Sequence, residues 1–175
     1  MIKLTRLLVA NRSEIAIRVF RAAAELGMRT IALYAEEDKL SLHRFKADEA
    51  YRVGRGLGDE IHLGPLESYL SIDEVIRVAK MAKADAIHPG YGFLSESPEF
   101  AEACAANGIV FIGPTPETMR TLGNKVAARN LATSVGVPVM PATPLLPTKV
   151  GFCVRRAEVV SAPHLTQRSP SAQGR

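Results

Sequence analysis

Over the first 140 residues, short apolar runs alternate with longer stretches whose apolar positions recur every three or four residues. The run LTRLLVA (residues 4–10) has the unbroken apolar character of a strand buried on both faces. NRSEIAIRVFRAAAELG follows with helical spacing. Asn11 with Glu14 three positions on predicts a capping box, and Gly27 predicts the residue just past the helix end. TIALYA (30–35) predicts a second strand, and ADEAYRVG (47–54) holds a shorter third. GRGLGDEIHLGP (54–65) predicts a loop. SIDEVIRVAKMAKA predicts a helix with Ser71 as its N-cap and Glu74 three residues in. ADAIHPG predicts strand four. SPEFAEACAANG predicts a helix with Ser97 as N-cap, Pro98 in the first turn and Gly108 at its end. IVFIGP predicts strand five, and TPETMRTLG and NKVAARNLATSVG two further helical pieces. Strand–helix alternation of this kind predicts an α/β fold: an open parallel sheet with helices on both faces, Rossmann-like. From about Ala142 the period is lost. The remainder is rich in Pro, Ser and Arg and predicts a disordered tail, so the domain boundary falls near 146, with residues 147–175 as an unrelated basic segment.

Projected at 100° per residue, Glu14, Arg18, Arg21 and Glu25 of the first helix share one narrow arc. Every other position from Ile15 to Leu26 is apolar or Ala, which predicts a helix buried over most of its circumference. The polar stripe then has two readings. It is a solvated face with Glu14–Arg18 and Arg21–Glu25 pairs four residues apart, or it is an interface, where Arg is enriched.

Charge changes the picture only at the tail. The formal net charge is +4, but residues 147–175 carry five basic and one acidic side chain, leaving 17 of each sign before them. A basic footprint across the fold, as a nucleic-acid partner requires, is absent. No apolar run approaches the ~20 residues of a membrane span, and the N-terminus lacks the apolar stretch of a signal peptide. The expectation is a cytoplasmic protein. Cys104 and Cys153 match no metal spacing and are expected as free thiols. His43 and His62 are expected at the surface or in loops, and His88 has two readings, a packing residue before Pro89 ahead of a proton carrier. GRGLG (54–58) lacks the G-x-G-x-x-G spacing and is expected to be a plain loop.

HPGYGFLSES (88–97) is richer than a strand-to-helix connection needs. In an open parallel sheet, ligands bind beyond the carboxyl ends of the strands. Gly90 and Gly92 allow close backbone approach, Tyr91 between them projects outward or covers something, and Ser97 starts a helix whose N-terminus favours anions. On chemistry alone this stretch is either a binding loop or a rigid turn.

VANRSEIAIRVFRAAAELG, AEEDKLSLHRFKADEAY, YLSIDEVIRVAK, AIHPGYGFLSESPEFA, FIGPTPETMRTLGNKVAARNLA and GVPVMPAT together resemble the N-terminal domain of biotin carboxylase over about residues 3–146. SLHRFKADEAY and the NRSE variant look most like the biotin carboxylase part of the pyruvate carboxylases. The resemblance implies a pre-ATP-grasp type of Rossmann-like domain. It also implies a parent activity: bicarbonate is activated with MgATP, biotin on another domain is carboxylated, and the carboxyl group passes to pyruvate to give oxaloacetate. ATP, Mg2+ and biotin are the cofactors this implies for the parent enzyme. None is expected to bind tightly to this chain alone. The resemblance assigns Lys125 to ATP phosphates, Tyr91, Gly92 and Glu96 to the wall of the biotin and bicarbonate pocket, and Arg18, Arg21 and Glu25 to a homodimer contact. From spacing alone Lys125 reads as a solvated lysine at a helix start.

Two motif positions depart from the family's usual pattern. Ser13 stands where NRGE has Gly, and Asn124 stands where GDK has Asp. Family chains also continue into an ATP-grasp domain carrying the Gly-rich phosphate loop, the Mg2+ carboxylates and the basic residues for bicarbonate and biotin. The expectation is therefore an N-terminal piece of a carboxylase, the product of a truncated or frameshifted gene, inactive without an ATP-grasp domain. The alternative is a short regulatory or dimer-forming module that pairs with a full-length carboxylase subunit.

Overall fold

The computed structural model describes residues 3–54 and 63–141 of the chain. The described residues up to Val139 form one compact unit. Of the remaining segment only Met140 and Pro141 are described, so the expected tail and Cys153 lie outside the described residues, as do His62 and all of GRGLG except Gly54.

Five parallel strands make one sheet: β1 (Arg6–Val9), β2 (Arg29–Tyr34), β3 (Glu49–Arg52), β4 (Ala86–His88) and β5 (Val110–Phe111). Their order across the sheet is β3-β2-β1-β4-β5. Parallel pairing puts Leu8 beside Ile31 on one side and Ile87 on the other. Alternate side chains point to opposite faces, and each face has its own core. Leu8, Ile31, Leu33 and Ile87 pack with Val75, Val78, Phe100 and Cys104. Leu7, Val9, Ala32 and Ala86 pack with Ala16, Phe20 and Ala23. The helices behind these cores are α1 (Ser13–Glu25) on the second face, and α4 (Ile72–Met81) and α5 (Pro98–Ala106) on the first. Helices thus cover both faces, as the alternation predicts. Two short helices, α2 (Leu42–Lys46) and α3 (Pro65–Leu70), fall where the pattern gave no helical signal. Five or six residues are too few for a period to register. After β5 come α6 (Pro116–Leu122) and α7 (Lys125–Ser134).

The two ends of the sheet differ in chemistry. At the amino ends of the strands, carboxylates close off the backbone. Asp85 accepts from the Thr5 and Arg6 amides at 2.7 and 2.9 Å, and Asp48 accepts from the Thr30 amide at 2.7 Å. Glu49 takes Arg6 at 2.8 Å and Arg29 at 2.6 Å. The Thr30 amide and hydroxyl hold Asp48, the Thr5 hydroxyl with the two amides holds Asp85, and the Tyr51 hydroxyl followed by the two arginines holds Glu49, each below the usual carboxylate range. At the carboxyl ends, strand order reverses between β1 and β4. That switch point is where open parallel sheets bind ligands, and both segments leaving it are unusual.

Candidate functional site

The segment leaving β1 is Ala10-Asn11-Arg12-Ser13, and the one leaving β4 is Pro89-Gly90-Tyr91-Gly92-Phe93. They lie against each other. The Ala10 amide donates to the His88 carbonyl at 2.9 Å, extending the β1–β4 ladder by one rung. Asn11 is fully buried. Its Nδ2 donates to the carbonyls of Pro89 at 2.8 Å and Tyr91 at 3.0 Å, and its Oδ1 accepts from the Arg12 amide at 2.9 Å. This overturns the expected capping box. The residue at the N-cap is Arg12, and its side chain makes no capping bond. The Asn11 amide is engaged by a loop 78–80 residues away and is not free to close the helix start.

The loop itself is bent through left-handed backbone. Gly90, Gly92 and Phe93 have φ of 70°, 69° and 47°. A Cβ at Gly90 would sit 2.6 Å from Asn11 Nδ2 and 2.7 Å from Ile15 Cγ2, so the close approach this glycine allows is to the protein's own chain. At Gly92 a Cβ would meet nothing within 4 Å. His88 Nδ1 accepts from the Gly90 amide at 2.9 Å, which leaves the neutral ring's proton on Nε2. Burial pushes the His88 pKa down. Tyr91 is 64% exposed, and its hydroxyl lies 3.4 Å from Glu14 Oε2. Phe93 stacks on Tyr69 with ring centres 5.4 Å apart, and the Arg12 guanidinium stands 5.9 Å from both rings.

Behind Arg12 sits a buried polar group. Asp38 accepts from Tyr69 Oη and Ser41 Oγ, each at 2.8 Å, and meets Arg12 Nη1 at 3.4 Å. Burial works to raise the Asp38 carboxyl, but these donors outweigh it and hold it below the usual range. Burial, with the Asp38 charge beside it, pushes the Tyr69 phenol well up. His43 corrects another expectation. It is fully buried, not at the surface, with Nε2 donating to the Leu33 carbonyl at 2.9 Å and Nδ1 without a partner. Burial holds it neutral by lowering its pKa.

The first helix also differs from its reading. Only Ala16, Phe20 and Ala23 are buried. Ile15, Val19, Ala22 and Leu26 instead line a groove of about 450 Å3 with Leu7, Met28 and Ile112, and Arg18, His88 and Tyr91 also border it. A Cα pattern cannot tell a core face from a groove wall. Glu14, Arg18, Arg21 and Glu25 are all exposed. Neither Glu14–Arg18 nor Arg21–Glu25 forms an ion pair.

The other expected site residues are dispersed. Glu96 is exposed in the 3-10 turn Phe93–Glu96 and faces a smaller cavity of about 250 Å3 shared with Thr118, Met119 and Leu122. Lys125 begins α7, a helix with no buried residue, after Asn124, whose Oδ1 accepts from the Val126 and Ala127 amides. Asn and Asp cap equally well, so the departure from GDK leaves the cap intact. Among the described residues no hydrogen bond or ion pair links Lys125 to the Gly90–Phe93 loop. Among the described residues no three His, Cys, Asp or Glu side chains gather to hold a metal ion, and no helix is long and apolar enough to cross a membrane. One exposed cation and one loop do not by themselves fit MgATP. Cys104 is buried, which pushes its thiol up to about 11 and makes it unreactive.

Sheet order, parallel pairing and a left-handed loop at the switch point define a doubly wound α/β module. The profile of the biotin carboxylase N-terminal domain matches residues 3–119, and the chain belongs to that family. The chain is 74% identical to pyruvate carboxylase of Rhizobium etli, in a structure with acetyl coenzyme A, over 81% of this chain and 12% of that one, with a TM-score of 0.78. It is 56% identical to human mitochondrial pyruvate carboxylase over 138 residues, 79% of this chain. An alignment to pyruvate carboxylase 1 of Caenorhabditis elegans runs over 170 residues at 50% identity and so continues past residue 146. The chain spans 11–14% of the length of these relatives.

Proposed function

We propose that this chain supplies one wall of the biotin-carboxylating site of a larger, pyruvate carboxylase-like enzyme, and is inactive alone. The observation that carries this reading is the Gly90–Phe93 loop. It stands at the switch point in a strained conformation, with Tyr91 exposed and the surroundings of Gly92 open. In this reading Tyr91, Gly92 and Glu96 border biotin and bicarbonate, and Lys125 contributes a mobile positive charge toward ATP phosphates. MgATP supplies the phosphoryl chemistry of the parent enzyme, and the groups that hold it belong to an ATP-grasp domain. The exposed stripe of Arg18, Arg21 and Glu25 serves subunit contact. Its support is that these charges are solvated and unpaired along one side of α1.

A chimera tests the proposal. Residues 3–141 of this chain replace the matching segment of Rhizobium etli pyruvate carboxylase. The chimera should keep bicarbonate-dependent ATP hydrolysis and pyruvate carboxylation within about tenfold of the parent. The 175-residue chain alone should release no bicarbonate-dependent phosphate. Lys125→Ala in the chimera should lower turnover ~100-fold, the usual scale for losing one group that stabilises transition-state charge. A folded but inactive chimera, or turnover by the isolated chain, overturns the reading.

A further inference from the structure

We propose that Asn11 and Arg12 are positioning residues that clamp the Gly90–Phe93 loop in its working conformation, a role that rests on reading that loop as an active-site wall. Three of its four residues have left-handed φ, one of them the bulky Phe93. Such backbone persists only where its surroundings over-determine it. Gly90 and Gly92 adopt it freely, but Phe93 does not, so something must hold the turn shut. Asn11 holds its first half: both Nδ2 protons are used, one on each carbonyl flanking Gly90. Gly90 is pressed against that amide so closely that no side chain fits between. Arg12 holds the second half, resting against the Tyr69–Phe93 stack while Asp38, itself fixed by Ser41 and Tyr69, anchors its guanidinium. Of the two loop glycines only Gly92 has open space on its Cβ side, which leaves it as the point where the clamped loop can meet a ligand.

Asn11→Asp separates clamping from mere bulk. It keeps the shape but turns a donor of two hydrogen bonds into an acceptor facing two carbonyls. In the 15N-labelled 175-residue chain, the amides of residues 90–93 should drop from the order parameters of rigid backbone, about 0.85, to below about 0.6. The amides of β1 and β2 should stay rigid. Arg12→Gln, at a side chain 44% exposed, removes the second jaw with little risk to folding and should loosen Phe93 first. In the chimera both substitutions should lower kcat at least tenfold while KM for ATP is unchanged. A loop that stays as ordered as the core in Arg12→Gln and in any folded Asn11→Asp chain overturns the clamp. So does uniform loosening of loop and core together, or a KM for ATP that rises in step with the loss of kcat. The relaxation measurement needs no activity, so it decides the clamp even if the chimera is inactive.

Discussion

Ser13 has φ = 53°, in the left-handed region where a Cβ crowds the following carbonyl. The NRGE pattern of the resembling family has Gly there, and the backbone now gives the reason. Ser13→Gly relieves roughly 1–2 kcal/mol of strain, offset by about 0.4–1 kcal/mol of added freedom in the unfolded chain. The expected outcome is a gain centred on about 1 kcal/mol and at most about 1.6 kcal/mol, read as a higher urea midpoint with unchanged slope. An unchanged or lower midpoint refutes it. At this scale sequence reasoning located the special residues but misread some of their tasks. Asn11 was legible as a polar residue at a helix start. Nothing within ten residues of it announces that its amide belongs to the Pro89 and Tyr91 carbonyls. Its signal was compositional only: an Asn after a buried strand, and far along the chain a loop with more glycine than a turn needs.

At the scale of elements, local signals worked where the partner is local. Ser71, Ser97, Thr115 and Asn124 each accept from an amide two or three residues on, and each begins a helix. Gly27 ends α1 at φ 71°, with the Gly27 amide bonded to Ala24 and the Met28 amide to Ala23, a Schellman closure. The helical pattern of α1 was also legible, but not which of its apolar residues reach the core, because that depends on how far the sheet extends beneath them. The charged stripe is solvated and forms no ion pair, so its proposed role is association. Arg18→Glu is expected to weaken self-association, or pairing with a full-length carboxylase, by at least tenfold in sedimentation or titration. Its effect on unfolding should stay within ~0.5 kcal/mol, as for most surface changes. If the domain instead unfolds with its oligomeric state unchanged, the stripe is structural.

For the whole molecule, two sets of titrating groups set the response to acid. His43 and His88 are held neutral by burial, while the unfolded chain takes up their protons near pH 6.5. Their folded pKa values are lowered, so stability is full above about pH 6.5 and falls as the pH drops below it. Asp38, Asp48, Asp85 and Glu49 are also lowered, but as carboxylates they contribute stability that is present above about pH 4 and lost below it. Urea midpoints should therefore fall between pH 7.5 and 5.5, and fall by less in His43→Gln, which removes the buried imidazole. Equal falls in the two proteins would place the effect elsewhere. His43 shows why tertiary structure was needed: one histidine in LHRFK carries no local mark of burial, and it is buried because α2 lies on β2 and carries it to the Leu33 carbonyl. By itself the sequence determined the five strands, the larger helices, most of the caps, the α/β class and the unusual loop after β4. Each is written in periodicity and in turn chemistry that acts over a few residues. Only the tertiary structure decided that β1 and β4 are neighbours at the switch point, that Asn11 and Arg12 grip that loop, and that part of α1 faces a groove. The first two are contacts between residues some 80 positions apart, and chain geometry settles all three only once the sheet has been assembled.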